Sequence, residues 1–330
     1  MRVLTEMLRI SCFVRDYFVR DEYQEISIPH SPPARHCAYR QISRRIPRRV
    51  SFVKALMTHR EFQRTIWRHH RLHVRDLPWR LPAGRQGNPN PYRILVSEIM
   101  LQQTQVDRVV PKYTEFIRAF PTIRSLAHAP LKDVLRVWQG LGYNRRAKML
   151  QETAKEIVKN HGGRIPKNPE TLQSLPGIGP YTARAICIFA YNIPSVCIET
   201  NIRSVYLHFF FKERSNVSDT ELMPLIEKTL SYENPREWYA ALMDYGSVLK
   251  KENQNPSRKS THHVRQAPFK GSTREIRGAI VKVLVKNTRV TMSDIVHSLA
   301  SFEKREISAQ IDRLCEEGLV RKRGGTLHIA

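Results

Sequence analysis

The stretch SLPGIGPYTARAICIFAYNIPSVCIETNIRSVY (residues 174–206) joins a glycine-rich turn to an apolar helix and ends on a polar cluster. Gly177 and Gly179 bracket Ile178 just before Pro180, a residue that favours the first turn of a helix. Glycine takes torsions closed to other residues and lets a second backbone approach. The amides of Gly177, Ile178 and Gly179, with the positive end of the helix behind them, suit a phosphate. The bland alternative is an ordinary glycine-rich helix start. Further on, CIETNIR places the carboxylate of Glu199 and the amide of Asn201 after the apolar run.

The composition favours a polyanionic partner. Lys and Arg number 55 against 30 acidic residues in 330, a net charge of +25, and the excess runs along the whole chain. Nucleic acid is the leading expectation, and an anionic membrane surface its competitor. No apolar run reaches the roughly 18 residues a transmembrane helix needs, so no membrane span is expected. Cys12, Cys37, Cys187, Cys197 and Cys315 are scattered and odd in number, which fits free thiols in a reducing compartment.

Four regions can be distinguished. Residues 1–56, with HSPPARH and RRIPRRV, read as a basic, disordered extension. Met57 follows it and is a candidate start of translation; a DNA-binding arm or a targeting segment are the other readings. Residues 57–249 read as mostly helical, with apolar residues at three- and four-residue intervals. Stops are expected at Pro111, at Gly162 and Gly163, and at Pro176, and PAGRQGNPNP (residues 82–91) reads as a surface loop. Residues 250–271 form a polar, basic linker. Residues 272–330 read as three helices and a hairpin of two strands about a Gly-Gly turn, which resembles a winged helix.

Glu98 stands out in YRILVSEIML, with Ile94, Leu95 and Leu101 on its side of the helix. Burial there disfavours the charged carboxylate and raises its pKa, which suits a general acid at neutral pH. A buried Glu paired with Arg, or capping a neighbouring helix, is the structural alternative.

PWR (residues 78–80), SEIMLQQTQV (97–106), GLGYNRRAKML (140–150), LPGIGPYTA (175–183) and ALMDYGSV (241–248) occur in that order. Together they resemble the helix-hairpin-helix (HhH-GPD) base-excision DNA glycosylases, in particular the MutY-like adenine glycosylases. The resemblance spans residues 60–250, with MLQQTQ and GLGY its most specific parts. It implies a mainly α fold: a two-lobed, all-helical HhH-GPD glycosylase domain with its site between the lobes, here followed by a small winged-helix-like α+β domain.

The resemblance also implies roles. Glu98 matches the acid that protonates the flipped adenine, and Gln103 and Tyr143 match residues that insert into the base stack. Tyr181 stands where bifunctional relatives carry a Schiff-base Lys, implying a monofunctional enzyme. Asn201 matches a polar residue of the substrate pocket, and Gly177, Ile178 and Gly179 the phosphate grip. A base inside a duplex must leave the stack to be reached, and a second carboxylate is then wanted for the cationic sugar.

Three departures qualify the resemblance. The second carboxylate, normally Asp, is Glu199, one methylene longer. The four clustered Cys that hold an iron–sulfur cluster in relatives are missing, with Lys250 near the place of the first, so no cluster and no other metal or cofactor is expected. The C-terminal region looks like a winged helix rather than a mixed α/β domain. The resulting expectation is a monomeric, cytoplasmic, nucleoid-associated DNA N-glycosylase acting on mismatched double-stranded DNA. A thymine glycosylase acting on G:T, and a non-catalytic DNA-binding protein with a decayed site, are the alternatives; an AP lyase is disfavoured by the missing Lys.

Overall fold

The computed structural model describes residues 57–81, 87–252 and 255–330. The expected basic extension (residues 1–56) and positions 82–86 of the expected surface loop lie outside the described residues. From residue 57 onward the chain packs as one compact unit.

Helix α1 (His59–Leu72) opens with a reciprocal cap: Thr58 Oγ1 accepts the Glu61 N–H, and Glu61 returns a bond to the Thr58 N–H. Phe62 and Ile66 are its buried residues, and the Phe62 ring packs against Tyr206, Phe210 and Trp238. Helix α2 (Pro91–Leu101) begins on Asn90, whose Oδ1 accepts the Tyr92 N–H at 2.9 Å, with proline at its first position. All its residues from Ile94 to Met100 are buried, so α2 is a central helix rather than an amphipathic surface one.

Helices α3 (Val106–Ala119), α4 (Ile123–His128), α5 (Leu131–Trp138) and α6 (Arg145–Asn160) pack into one group with α2, and the short α7 (Pro169–Gln173) follows. Helix α8 (Pro180–Tyr191) lies against α2 and α7. The second group is α1 with α9 (Thr200–Phe210), α10 (Asp219–Lys228) and α11 (Pro235–Glu252). The α2–α8 pair is the seam where the two groups meet.

Two expectations need correction. The break expected at Pro111 does not occur; Pro111 sits inside α3. The chain breaks instead at residues 102–105, where Gln103 adopts a left-handed conformation with φ of 55°. A proline this near a helix start removes only one ladder bond, whereas a left-handed residue reverses the chain. The expected linker is also more ordered than its composition suggests. Helix α11 runs into it as far as Glu252, and a 3₁₀ turn (Pro256–Lys259) precedes a bridge from Ser260 to Val217.

The C-terminal elements follow as α12 (Thr273–Lys286), β1 (Val290–Thr291), α13 (Met292–Ser298), α14 (Lys304–Glu316), β2 (Val320–Arg323) and β3 (Thr326–Ile329). The antiparallel sheet has the order β1-β3-β2, with Val290 opposite Leu327 and Val320 opposite Ile329. Strand β1 is additional to the expected hairpin, since two residues are too few to show alternation. Gly324 and Gly325 both take positive φ at the hairpin turn. Helix α12 packs on α5. Lys132 donates to the Asn287 carbonyl at 2.8 Å and Lys148 to that of Glu317 at 2.6 Å. No helix among the described residues is long and apolar enough to cross a membrane.

Candidate active site

The seam between the two groups gathers Glu98 from α2, Tyr181 from the first turn of α8, Glu199 and Asn201 from the start of α9, and Asp244 from α11. Glu98 is buried. Burial pushes its carboxyl up to about 8; the charge of Glu199 pushes the same way and the Arg80 guanidinium opposes both. The buried Glu paired with Arg is therefore not what this residue is: Arg80 is committed to another carboxylate.

That carboxylate is Asp244, which the sequence reading passed over. Arg80 Nη1 and Nη2 donate to its two oxygens at 2.8 Å each, and Arg75 Nε donates at 2.6 Å. Burial works to raise this carboxyl, and the Arg80 and Arg75 bonds and charges overcome it, holding it below the usual range. The seam thus holds two buried carboxyl groups in opposite states, Glu98 protonated and Asp244 ionised. The signal available in sequence was a lone Asp in the apolar run YAALMDYGSVL.

Glu199 caps its own helix. Its Oε1 accepts the N–H groups of Asn201 at 2.7 Å and Ile202 at 2.9 Å, and Oε2 accepts Asn201 Nδ2 at 3.2 Å. The extra methylene lets the side chain fold back onto the helix start, a task usually given to Asp, Asn, Ser or Thr. Just before it, the Tyr239 hydroxyl donates to the Ser195 carbonyl at 2.9 Å and accepts the Cys197 N–H at 3.1 Å, fixing the approach to α9. Gly246 closes the arrangement from α11. A Cβ there would lie 2.4 Å from the Asn201 carbonyl oxygen, so only glycine permits this crossing of α9 and α11. Tyr181 faces both acids, and its hydroxyl is held well above the usual tyrosine range, first by burial and further by the neighbouring acids. It is a neutral group here, not a nucleophile.

The expected stack-inserting residues share an unusual conformation. Among the described residues, four non-glycine positions have positive φ: Asn192, Asn216, Gln103 and Tyr143. Asparagine enters this region readily. Gln103 and Tyr143, at 55° and 49°, do not, and such outliers are held only where the surroundings impose them. Arg146 imposes both. Its Nη1 donates to the Ile99, Met100 and Gln102 carbonyls at 3.0, 2.8 and 2.5 Å, at the C-terminus of α2, where a helix leaves carbonyls to be satisfied from outside. Its Nη2 reaches Thr104 Oγ1, Leu141 O and Gly142 O at 2.9–3.3 Å. One guanidinium therefore ties the Gln103 loop to the Tyr143 loop. Burial lowers it to about 10, still charged at neutral pH. Nothing in GLGYNRRAKML marked Arg146 over Arg145.

The glycine-rich turn forms as expected between α7 and α8. Gly177 has φ of 75°, and a Cβ there would meet Met149 Cβ at 2.7 Å, so both torsion and packing demand glycine. Gly179, the cap of α8, has an ordinary φ of −87°, and a Cβ there would enter open space. Neither torsion nor packing within the chain therefore requires glycine at this position. Ile178 contributes a buried side chain, and its N–H bonds back to the Leu175 carbonyl at 3.3 Å.

An iron–sulfur cluster does not fit this chain. Residues 249–271 supply Lys, Glu, Gln, Ser and His but no thiolate. No group of three or more His, Cys, Asp or Glu among the described residues is placed to hold a metal.

Residues 96–229 match the model of the HhH-GPD superfamily base excision DNA repair proteins. The chain is 36% identical over 199 residues to the adenine DNA glycosylase of Buchnera aphidicola subsp. Baizongia pistaciae, covering 58% of this chain and 54% of the relative. It is 47% identical over 131 residues to the adenine DNA glycosylase of Mycobacterium tuberculosis, covering 40% of this chain and 41% of that one. The chain thus spans about half the length of the curated relatives it matches. Its fold is similar to a thermostable thymine-DNA glycosylase, with a TM-score of 0.51 at 24% identity over 60% of this chain and 90% of the other. Residues 96–229 thus carry a likeness to the HhH-GPD superfamily of base excision DNA repair proteins, and the curated relatives that the chain resembles are adenine DNA glycosylases.

Proposed function

We propose that this chain is a monofunctional DNA N-glycosylase that removes mispaired adenine, opposite G or 8-oxoguanine, from double-stranded DNA. The observation that carries this reading is the burial of Glu98 at a seam beside Glu199, a setting that pushes its carboxyl up to about 8 and favours the protonated acid. Adenine leaves poorly until protonated. Glu98 gives its proton to a ring nitrogen of the flipped base, the glycosidic bond breaks with its electron pair going to the base, and positive charge develops on the sugar. The Glu199 carboxylate, oriented by three hydrogen bonds, stabilises that charge, and water adds to the sugar as its proton passes to the Glu98 carboxylate, which restores the acid. Gln103 and Tyr143 fill the gap left in the stack, where unstacking costs on the order of a few kcal/mol.

The domain reading is part of the proposal. Residues 57–249 form the glycosylase domain, residues 250–271 the connection, and residues 272–330 a winged helix, supported by the helix–strand–helix–helix–strand–strand order of its elements.

The test is incubation of the purified protein with duplexes carrying G:A, 8-oxoguanine:A, G:T or G:U, followed by alkali. Strand cleavage at A is expected. Cleavage at T would move the substrate to the thymine class, and no cleavage of any duplex that the protein binds would overturn the glycosylase reading.

A further inference from the structure

Tyr143 is not free to act as a wedge in this conformation. Its hydroxyl oxygen accepts hydrogen bonds from Gln266 Nε2 and from Arg274 Nη1, the latter at 3.1 Å. The Arg274 guanidinium also stands 5.8 Å from the centre of its ring, and that of Arg146 5.3 Å. A ring in the base stack needs its faces for the bases, so Arg274 must leave before Tyr143 can insert.

The grip is built from one short segment. Arg274 Nη2 donates to the Ala267 and Pro268 carbonyls at 2.6 and 3.2 Å, so residues 266–268 supply one donor to Tyr143 and orient the other. Beside it lies a cleft of about 980 Å³ that Gly177, Tyr143 and Arg145 line from the glycosylase side and Arg274 and Lys282 from α12. A DNA strand held by the glycine turn would enter this cleft, and its phosphates offer Arg274 a stronger, charge-assisted acceptor than a phenol oxygen.

We infer that Gln266 and Arg274 are positioning residues that park Tyr143, and that the phosphodiester backbone of bound DNA releases it by drawing Arg274 away. This deepens the glycosylase reading and rests on Tyr143 being an intercalating residue. The parked state sets a threshold for base flipping, and the C-terminal elements take part in the reaction without touching the reacting atoms.

The experiment measures flipping without bond cleavage, in the full chain carrying Glu98→Gln, with 2-aminopurine next to the mispaired adenine and stopped-flow fluorescence. Gln266 is uncharged, so removing it leaves the phosphate attraction of the cleft intact. Gln266→Ala is expected to flip about three- to tenfold faster, the effect of one lost hydrogen bond. Hydrogen–deuterium exchange at residues 140–146 should rise in the DNA-free variant. Tyr143→Phe keeps the ring and removes the acceptor, so adding Gln266→Ala to it should give no further gain. A Gln266→Ala rate at or below that of its parent, or an equal gain in the Tyr143→Phe background, overturns the inference. Absence of cleavage by the chain with Glu98 intact would instead overturn the glycosylase reading and leave the flipping result standing.

Discussion

At the scale of single residues, Glu98 and Asp244 show how one seam keeps two buried carboxyls in different states. Both are buried, but Asp244 is hydrogen-bonded by two arginines, whereas Glu98 faces the negative charge of Glu199 and feels Arg80 only at a distance. The consequence is a signed pH dependence. On the proposed mechanism the protonated form of Glu98 is the active one, and it persists until pH passes about 8 instead of the ordinary 4.5. Single-turnover cleavage at saturating protein should therefore hold through neutral pH and fall about tenfold per unit above 8. Glu98→Gln should bind DNA and release no base. A rate that falls from pH 5 upward, or Glu98→Gln turnover matching wild type, would show that Glu98 is not the acid.

At the scale of elements, the site depends on how closely α9 and α11 cross. Glu199 and Asn201 sit on the first turn of α9, and the backbone of Asn201 rests on Gly246. Gly246→Ala puts a methyl group into the Asn201 carbonyl and must push the α9 start away. Overpacking of this kind costs about 1–3 kcal/mol, and the displaced Glu199 should cost more in rate than in binding. Thermal unfolding with single-turnover kinetics checks both; an alanine variant with wild-type rate would mean the crossing does not set the position of Glu199. This crossing shows where the sequence was legible and where it was not. The glycine turn and the cap of α8 could be read because proline and glycine carry their torsions with them. Gly246 could not, since its constraint comes from a helix forty-five residues away. The break at residues 102–105 was missed for the same reason: it is held by Arg146, from the far side of the fold, not by a local breaker.

At the scale of the whole molecule, two kinds of charge act under different rules. The carboxyls of the seam are buried and little screened; the burial of Glu98 could be anticipated from its apolar stripe, whereas Asp244 could be placed only with the fold. The surface excess of cations was legible from composition alone, but its placement required the fold. Arg60, Arg64 and Arg71 line one side of α1 and form no ion pair among the described residues. Arg108, Arg145, Arg274 and Lys282 surround the cleft by the wedge loops. Exposed charges are screened over roughly 8–10 Å at physiological salt, so binding and chemistry should separate on salt titration. If the cleft and the glycine turn together engage about six phosphates, log K for a duplex falls with log salt at a slope near −5. Affinity then drops roughly a thousandfold between 50 and 200 mM salt. The cleavage rate measured at saturating protein should stay constant across the same range, because Glu98 takes its pKa from burial. Fluorescence anisotropy with the Glu98→Gln variant gives the slope, and wild-type single-turnover kinetics gives the rate. A slope near zero would remove the cationic cleft as the DNA-binding surface, and a cleavage rate that followed salt as steeply as affinity would place the acid in contact with solvent.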